Sequence, residues 1–230
     1  MHLIPAPGSP EMQAALSHSN VRTIVDILLQ IIDQDYFKVV ALFLRNNDQD
    51  TSPSLSQKLQ ALRNQYKPRP NAEGRFAVPP YIDELVSTLE ILYSQDQIRV
   101  SFQRGAIVEL LASELVCSRC NSGECVGNHI FVDGRYRSSQ VDVAVFSKSK
   151  QQIEGYTCKT KPEWVESADC TNLIALASKA QELDFDTHIG VICFDHSRAI
   201  DQRIKKFPLR MPIQAYGINN IQVLTKSPIK

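Results

Sequence analysis

Two residues of opposite charge stand where they could do hydrolytic chemistry: Asp142, in Gln-Val-Asp-Val-Ala-Val-Phe, and Lys159, at the end of Ile-Glu-Gly-Tyr-Thr-Cys-Lys. Val141, Val143 and Val145 alternate with Asp142, Ala144 and Phe146, the period of a β-strand. Ile153 to Lys159 reads as a second strand, and the polar stretch between them predicts an antiparallel hairpin. Thr157 and Lys159 then share a face, and the expected register brings Asp142 near Lys159. A carboxylate beside an ammonium can hold a divalent cation and activate a water. The plainer alternative is a surface ion pair, worth about 0–1 kcal/mol.

A second cluster is Cys117-x2-Cys120-x4-Cys125-x3-His129. Three thiolates and an imidazole suit tetrahedral Zn²⁺, and Gly123 and Gly127 let so short a loop turn. Such a closed site would be structural, pinning a helix end to the first strand of a sheet. The Cys-x2-Cys pair is also compatible with a redox couple, and His129 with the start of a strand. Cys193 and Cys158 read as packing residues, and Cys170 as a residue near a helix start.

The elements that must position these groups change character near residue 95. Residues 1–12 hold three prolines and read as a disordered lead-in. Ser19 or Asn20 caps a helix from Val21, with Ile24, Ile27, Leu28, Ile31 and Ile32 at helical spacing. Tyr36 to Leu44 continues the apolar signal, and Asn46 to Pro53 is a loop. Ser54 and Gln57 form a capping-box pattern for a helix to about Tyr66. Pro68, Pro70, Asn71 and Gly74 break the chain before a helix that Pro80 opens. Residues 1–95 are therefore expected to form a small helical module, and residues 96–230 a second domain. There, Arg104 to Val116 predicts a helix, Ile130 to Val132 a strand, and the hairpin follows. A helix from Asp169 or Thr171 to about Leu183 leads to His188 to Phe194, an apolar run suited to a parallel strand buried on both faces. Ile221 to Leu224 is a candidate last strand.

Of the 230 residues, 43% are hydrophobic and 22% charged, with 25 basic and 25 acidic, so no global cationic field advertises a nucleic-acid partner. No apolar run is long enough to cross a bilayer. The N-terminus shows neither a positive n-region nor a secretory h-region, so a cytoplasmic protein without membrane association is expected. In that compartment six cysteines favour thiols or metal ligands over a disulfide framework.

The order helix, three strands, helix, strand, with Arg104-Gly105 and Glu109 in the first helix, Gln-Val-Asp142 on the second strand and Cys-Lys159 on the third, resembles the PD-(D/E)XK nuclease superfamily. The likeness covers roughly residues 100–195. It implies an α/β fold, a restriction-endonuclease-like αβββαβ core with a mixed sheet behind the helical module. It further implies a hydrolase, a Mg²⁺-dependent endonuclease acting on DNA. Asp142 would bind Mg²⁺, Glu109 would reach in as a further metal or water ligand, and Lys159 would attend the attacking water and the charge of the transition state. The family's second acid belongs two residues before the lysine, where this chain has Thr157. Glu154 has the wrong parity to replace it.

Arg135, Arg137 and Lys148 are candidate nucleic-acid contacts, and Arg198, Arg203, Lys205, Lys206 and Arg210 a further basic run. Such runs are also ordinary solvated faces. For Trp164, core packing is favoured over base stacking. The alternative to a nuclease is a catalytically degenerate module of the same fold that binds nucleic acid or a partner protein without cleavage; a protein partner or a homo-oligomer is open under either reading.

Overall fold

The hairpin forms where the alternation places it, and a sheet grows on both sides of it. In chain order the strands are β1 (His2–Pro5), β2 (Cys125–Asp133), β3 (Tyr136–Arg137), β4 (Val141–Ser147), β5 (Gln152–Lys159), β6 (Asp186–Cys193) and β7 (Gln214–Tyr216). The computed structural model describes residues 1–6, 8–48, 54–68, 78–94 and 98–226. Its seven strands make one mixed sheet in the order β1-β2-β4-β5-β6-β7, with β3 paired to β2. The pairs β1–β2, β2–β3, β2–β4 and β4–β5 are antiparallel, whereas β5–β6 and β6–β7 are parallel.

The helices are α1 (Pro10–Ser17), α2 (Ser19–Gln30), α3 (Asp35–Asn46), α4 (Ser54–Asn64), α5 (Pro80–Ser94), α6 (Val100–Cys117), α7 (Ser167–Glu182) and α8 (Ser197–Ile204). The architecture is α/β. The chain divides into two compact units, residues 10–107, and residues 1–9 with 108–230. The helical unit buries the apolar stripes that the spacing implies, including Ile24, Leu28, Val40, Leu59, Leu85 and Leu89. Its Arg104 is fully buried, bonded to Asp48 and to the Arg45 carbonyl. Arg104 therefore does not open α6, which starts at Val100.

In the sheet unit β5 is buried from Ile153 to Cys158, and α7 crosses from it to β6. Parallel strands joined by a helical crossover have this character because helix covers the sheet. The contact is close: a Cβ added at Gly155 would lie 2.7 Å from the Leu176 side chain of α7. On the other face of β5, Arg119, just after α6, meets Glu154. Arg119 Nη1 donates to Glu154 Oε1 at 2.8 Å and Nη2 to Oε2 at 2.5 Å, with Glu154 fully buried. Tyr156 and Gln152 donate to the same carboxylate, and Arg119 Nε donates to the Leu224 carbonyl at 2.7 Å.

Three expectations fail. Residues 1–12 are ordered in large part: β1 covers an edge of β2, and the terminal amine lies 3.4 Å from Asp133. The prolines hid a strand whose hydrogen-bonding partner lies more than 120 residues downstream. Ile221–Thr225 is a 3₁₀ turn rather than a strand, because Ile221 and Leu224 bury on one side at its three-residue repeat; the last strand is β7. The first strand of the predicted core starts at Cys125, not Ile130. The breaks at Pro70, Asn71 and Gly74, and residues 49–53 of the predicted loop, lie outside the described residues. Among the described residues no helix is long and apolar enough to cross a membrane.

Arg119→Ala would strand the Glu154 carboxylate in the interior, and a loss of about 3–5 kcal/mol is expected in urea denaturation. The apolar double replacement Arg119→Met with Glu154→Leu is expected to recover most of that loss.

Candidate active site

Glu109, Asp142 and Lys159, from three different elements of the sheet unit, lie within electrostatic reach of one another. β4 and β5 pair with Val143 opposite Tyr156, which sets Asp142 across from Thr157 and diagonal to Lys159. Asp142 Oδ2 accepts from the Cys158 backbone N–H at 2.6 Å and from Thr157 Oγ1 at 3.1 Å. The hydroxyl at the position of the expected second acid thus orients Asp142. Asp142 is crowded by protein yet keeps a partly exposed surface. Burial pushes its carboxyl above the usual range, against the Cys158 N–H, the Lys159 charge and the Thr157 hydroxyl.

Glu109, on α6, is 7% exposed. Burial, and then the nearby Asp142 charge, push its carboxyl up to about 8, while the Asn128 hydrogen bond and Lys159 pull the other way. Asn128 is the residue that sequence reasoning missed. In β2, Gly127 pairs with Val143 and His129 with Val141, so Asn128 stands across from Asp142. Its φ is 53°, a left-handed conformation inside a strand, which costs an L-residue about 1 kcal/mol and which Asn tolerates better than most. The kink lets Nδ2 donate to Glu109 Oε2 at 3.2 Å, while Oδ1 accepts from Gln140 Nε2 at 2.7 Å. An Asn after a Gly is a signal for such a kink, but here it lay inside the presumed zinc loop.

Lys159 Nζ sits 3.1 Å from Asp169 Oδ1. Asp169 closes a capping box at the start of α7, its Oδ2 accepting from the Glu166 N–H at 2.9 Å. One carboxylate thus ties the helix N-terminus to the lysine. Burial works against the ammonium, but Asp169 in the first place, then Asp142 and Glu166, hold its pKa above the ordinary lysine value. The sequence marks Asp169 only as a helix start, because its partner on β5 is a tertiary contact.

The zinc expectation is corrected. Cys117 and Cys125 form a disulfide, so two of the four presumed ligands are joined to each other. Cys120 bonds the Val116 carbonyl, and the His129 ring lies 2.5 Å from the Gly127 carbonyl. The reading of all six cysteines as thiols or metal ligands fails with it: the turn after α6 brings Cys117 against the start of β2. Among the described residues no group of three or more His, Cys, Asp or Glu side chains is arranged to hold a metal. Glu109 and Asp142 remain a two-carboxylate set, and Mg²⁺ is commonly held by one or two carboxylates with water completing the shell.

The basic candidates separate. Arg135 and Arg137 are exposed at the end of the sheet that carries Asp142. Lys148 lies at the opposite end of β4, about 20 Å along the strand, against the Phe146 ring. Arg203 is spent on the Val165 and Glu163 carbonyls. Trp164 is not core: it is 41% exposed, in a 3₁₀ turn just after β5.

Comparison of the sequence with protein-family models finds no matching family, and comparison with curated proteins finds no match.

Glu109 sets a pH dependence whose sign is fixed. Its folded pKa of about 8 exceeds the ordinary 4.5, so between those values the folded state holds a proton that the unfolded state lacks. Its contribution to stability therefore falls as pH rises from about 4.5 to 8 and is flat above. A divalent cation held by Glu109 would compete with that proton, so any Mn²⁺ binding, measured by calorimetry, is expected to strengthen by up to about tenfold per pH unit below pH 8. Glu109→Gln should flatten the profile, and Asn128→Ala should move its midpoint upward. Thiol titration of the denatured, unreduced protein should find four free cysteines. Reduction should cost about 2–3 kcal/mol.

Proposed function

We propose that this chain is a divalent-cation-dependent phosphodiesterase, an endonuclease acting on DNA, built on a restriction-endonuclease-like αβββαβ core. The carrying observation is that Glu109 from α6, Asp142 from β4 and Lys159 from β5 lie within electrostatic reach of one another. The run α6, β2, β4, β5, α7, β6, with β3 a two-residue appendage of β2, supports the same reading of the core.

The residues present fit Mg²⁺ as two carboxylates whose mutual repulsion a divalent cation would relieve. Bound there, Mg²⁺ would polarise a phosphoryl oxygen and lower the pKa of a water. The protein's own groups have separable roles. Asp142, oriented by the Cys158 N–H and Thr157, is the fixed ligand. Glu109 completes the set after losing its proton. Lys159, kept protonated by Asp169, orients the water and offsets charge accumulating on the phosphate instead of acting as the base. Arg135 and Arg137, exposed at that end of the sheet, would meet DNA phosphates.

Two features favour the degenerate-module reading, in which the fold binds nucleic acid or a partner protein without cleaving. Thr157 replaces an acid, and Lys159 already has a carboxylate partner. Incubation with supercoiled plasmid and Mg²⁺ or Mn²⁺ separates the two. Nicking is expected, and Asp142→Ala, Lys159→Ala and Glu109→Gln should each slow it by about 100-fold or more. Binding with no nicking in either metal would hand the assignment to the non-cleaving module.

A further inference from the structure

Trp164 is the only tryptophan in the chain, and it carries the largest apolar surface a side chain can offer. Of the described large apolar side chains in the sheet unit, it and Val223 are the exposed ones. A single exposed apolar residue needs no explanation by itself. Its mounting and its position supply the argument.

The mounting is stiff. Pro162 opens the turn, the Trp164 N–H donates to the Lys161 carbonyl at 3.2 Å, and the Val165 N–H donates to the Pro162 carbonyl at 3.0 Å. Arg203 grips the flanking carbonyls, donating to Val165 at 2.9 Å and to Glu163 at 3.4 Å. The indole is thus presented on a braced turn, with the Lys161 ammonium 5.5 Å from its ring centroid.

The turn is carried on the strand of one candidate hydrolytic group. The turn follows β5, whose last residue is Lys159. Glu163 lies within electrostatic reach of Cys193, which pairs with Lys159 in the β5–β6 register. Glu166, two residues beyond the indole, is felt by Lys159 itself.

We propose that Trp164, with Lys161 against its ring, is a stacking platform for an unpaired nucleobase next to the catalytic groups, so that the substrate is single-stranded DNA or the unpaired end of a duplex. The inference rests on the phosphodiesterase reading and specifies its substrate class. An indole stacks on a base whatever its identity, and a neighbouring cation meets the adjoining phosphate. Glu163 and Glu166 flank the turn, so the turn takes the face of a base in preference to a bare polyanion. Paired bases inside a duplex have no face to offer it.

The lone tryptophan makes its own fluorescence the reporter. The full-length protein is titrated, in EDTA and separately in Ca²⁺, with an oligothymidylate of about 12 nucleotides, a length within the range of single-strand sites. The same titration is run with a mixed-sequence duplex of equal length and with heparin. Saturable quenching by the single strand, weak quenching by the duplex and none by heparin are expected. Trp164→Ala should weaken binding of a labelled oligomer about 5- to 100-fold by anisotropy. Trp164→Phe should restore most of it, and circular dichroism checks that each variant is folded. Quenching by heparin or duplex equal to that by the single strand overturns the proposal. So does an oligomer that leaves the fluorescence unchanged, whether or not anisotropy shows binding. Plasmid nicking that depends on Asp142 while Trp164 stays silent removes the platform and keeps the hydrolase. Quenching by the oligomer with no cleavage of either the plasmid or the single strand in any metal keeps the platform and removes the hydrolase.

Discussion

The buried ion pair between Arg119 and Glu154 is the constraint on which the sheet unit depends. It joins the end of the helix that carries Glu109 to the strand that carries Thr157 and Lys159. Burying two charges is expensive, and the pair offsets that cost through bidentate geometry and through Tyr156, Gln152 and the Leu224 carbonyl, which satisfy the remaining lone pairs and donors. An apolar contact at the same place would stabilise the fold as well but would leave the helix freer to slide along β5. The Cys117–Cys125 disulfide acts in the same region, tying the end of α6 to the start of β2. The C-terminal end of α6 is therefore tied to both β2 and β5 before any chemistry is considered.

What that junction holds in place is an electrostatic imbalance. Glu109 and Asp142 are driven toward neutrality by burial, Glu109 also by its neighbour's charge, and hydrogen bonds from Asn128, Thr157 and the Cys158 N–H restore only part of the loss. Lys159 is shared with Asp169 and cannot neutralise both carboxylates. On the proposed reading, a divalent cation bound to these carboxylates would offset that imbalance. The left-handed Asn128, opposite Asp142 and bonded to Glu109, is a local irregularity of the kind that collects at functional sites because the surrounding structure enforces it.

The cysteines show where reading a sequence by spacing misleads. Cys117, Cys120, Cys125 and His129 have the spacing of metal ligands, but spacing does not set direction. Cys117 lies on the last turn of α6 and Cys125 opens β2, and the connecting turn brings those two sulfurs together while Cys120 turns back to its own helix. Trp164 errs in the opposite sense. Its composition says core, whereas the braced turn after β5 sends it outward.

The sequence alone determined the β4–β5 hairpin, the parity that puts Asp142, Thr157 and Lys159 on one face, the helical stripes, and the crossover from β5 to β6. Each of these is a local periodicity, and periodicity of side-chain direction is a property of neighbouring residues. Only the tertiary structure decided that β1 belongs to the sheet, that Asn128 bends to meet Glu109, that Asp169 reaches Lys159, and that Cys117 pairs with Cys125. Those are contacts between residues distant in sequence or dependent on how an intervening turn folds. Their partners are chosen by packing and by the need to satisfy buried polar groups, and no local pattern records that choice.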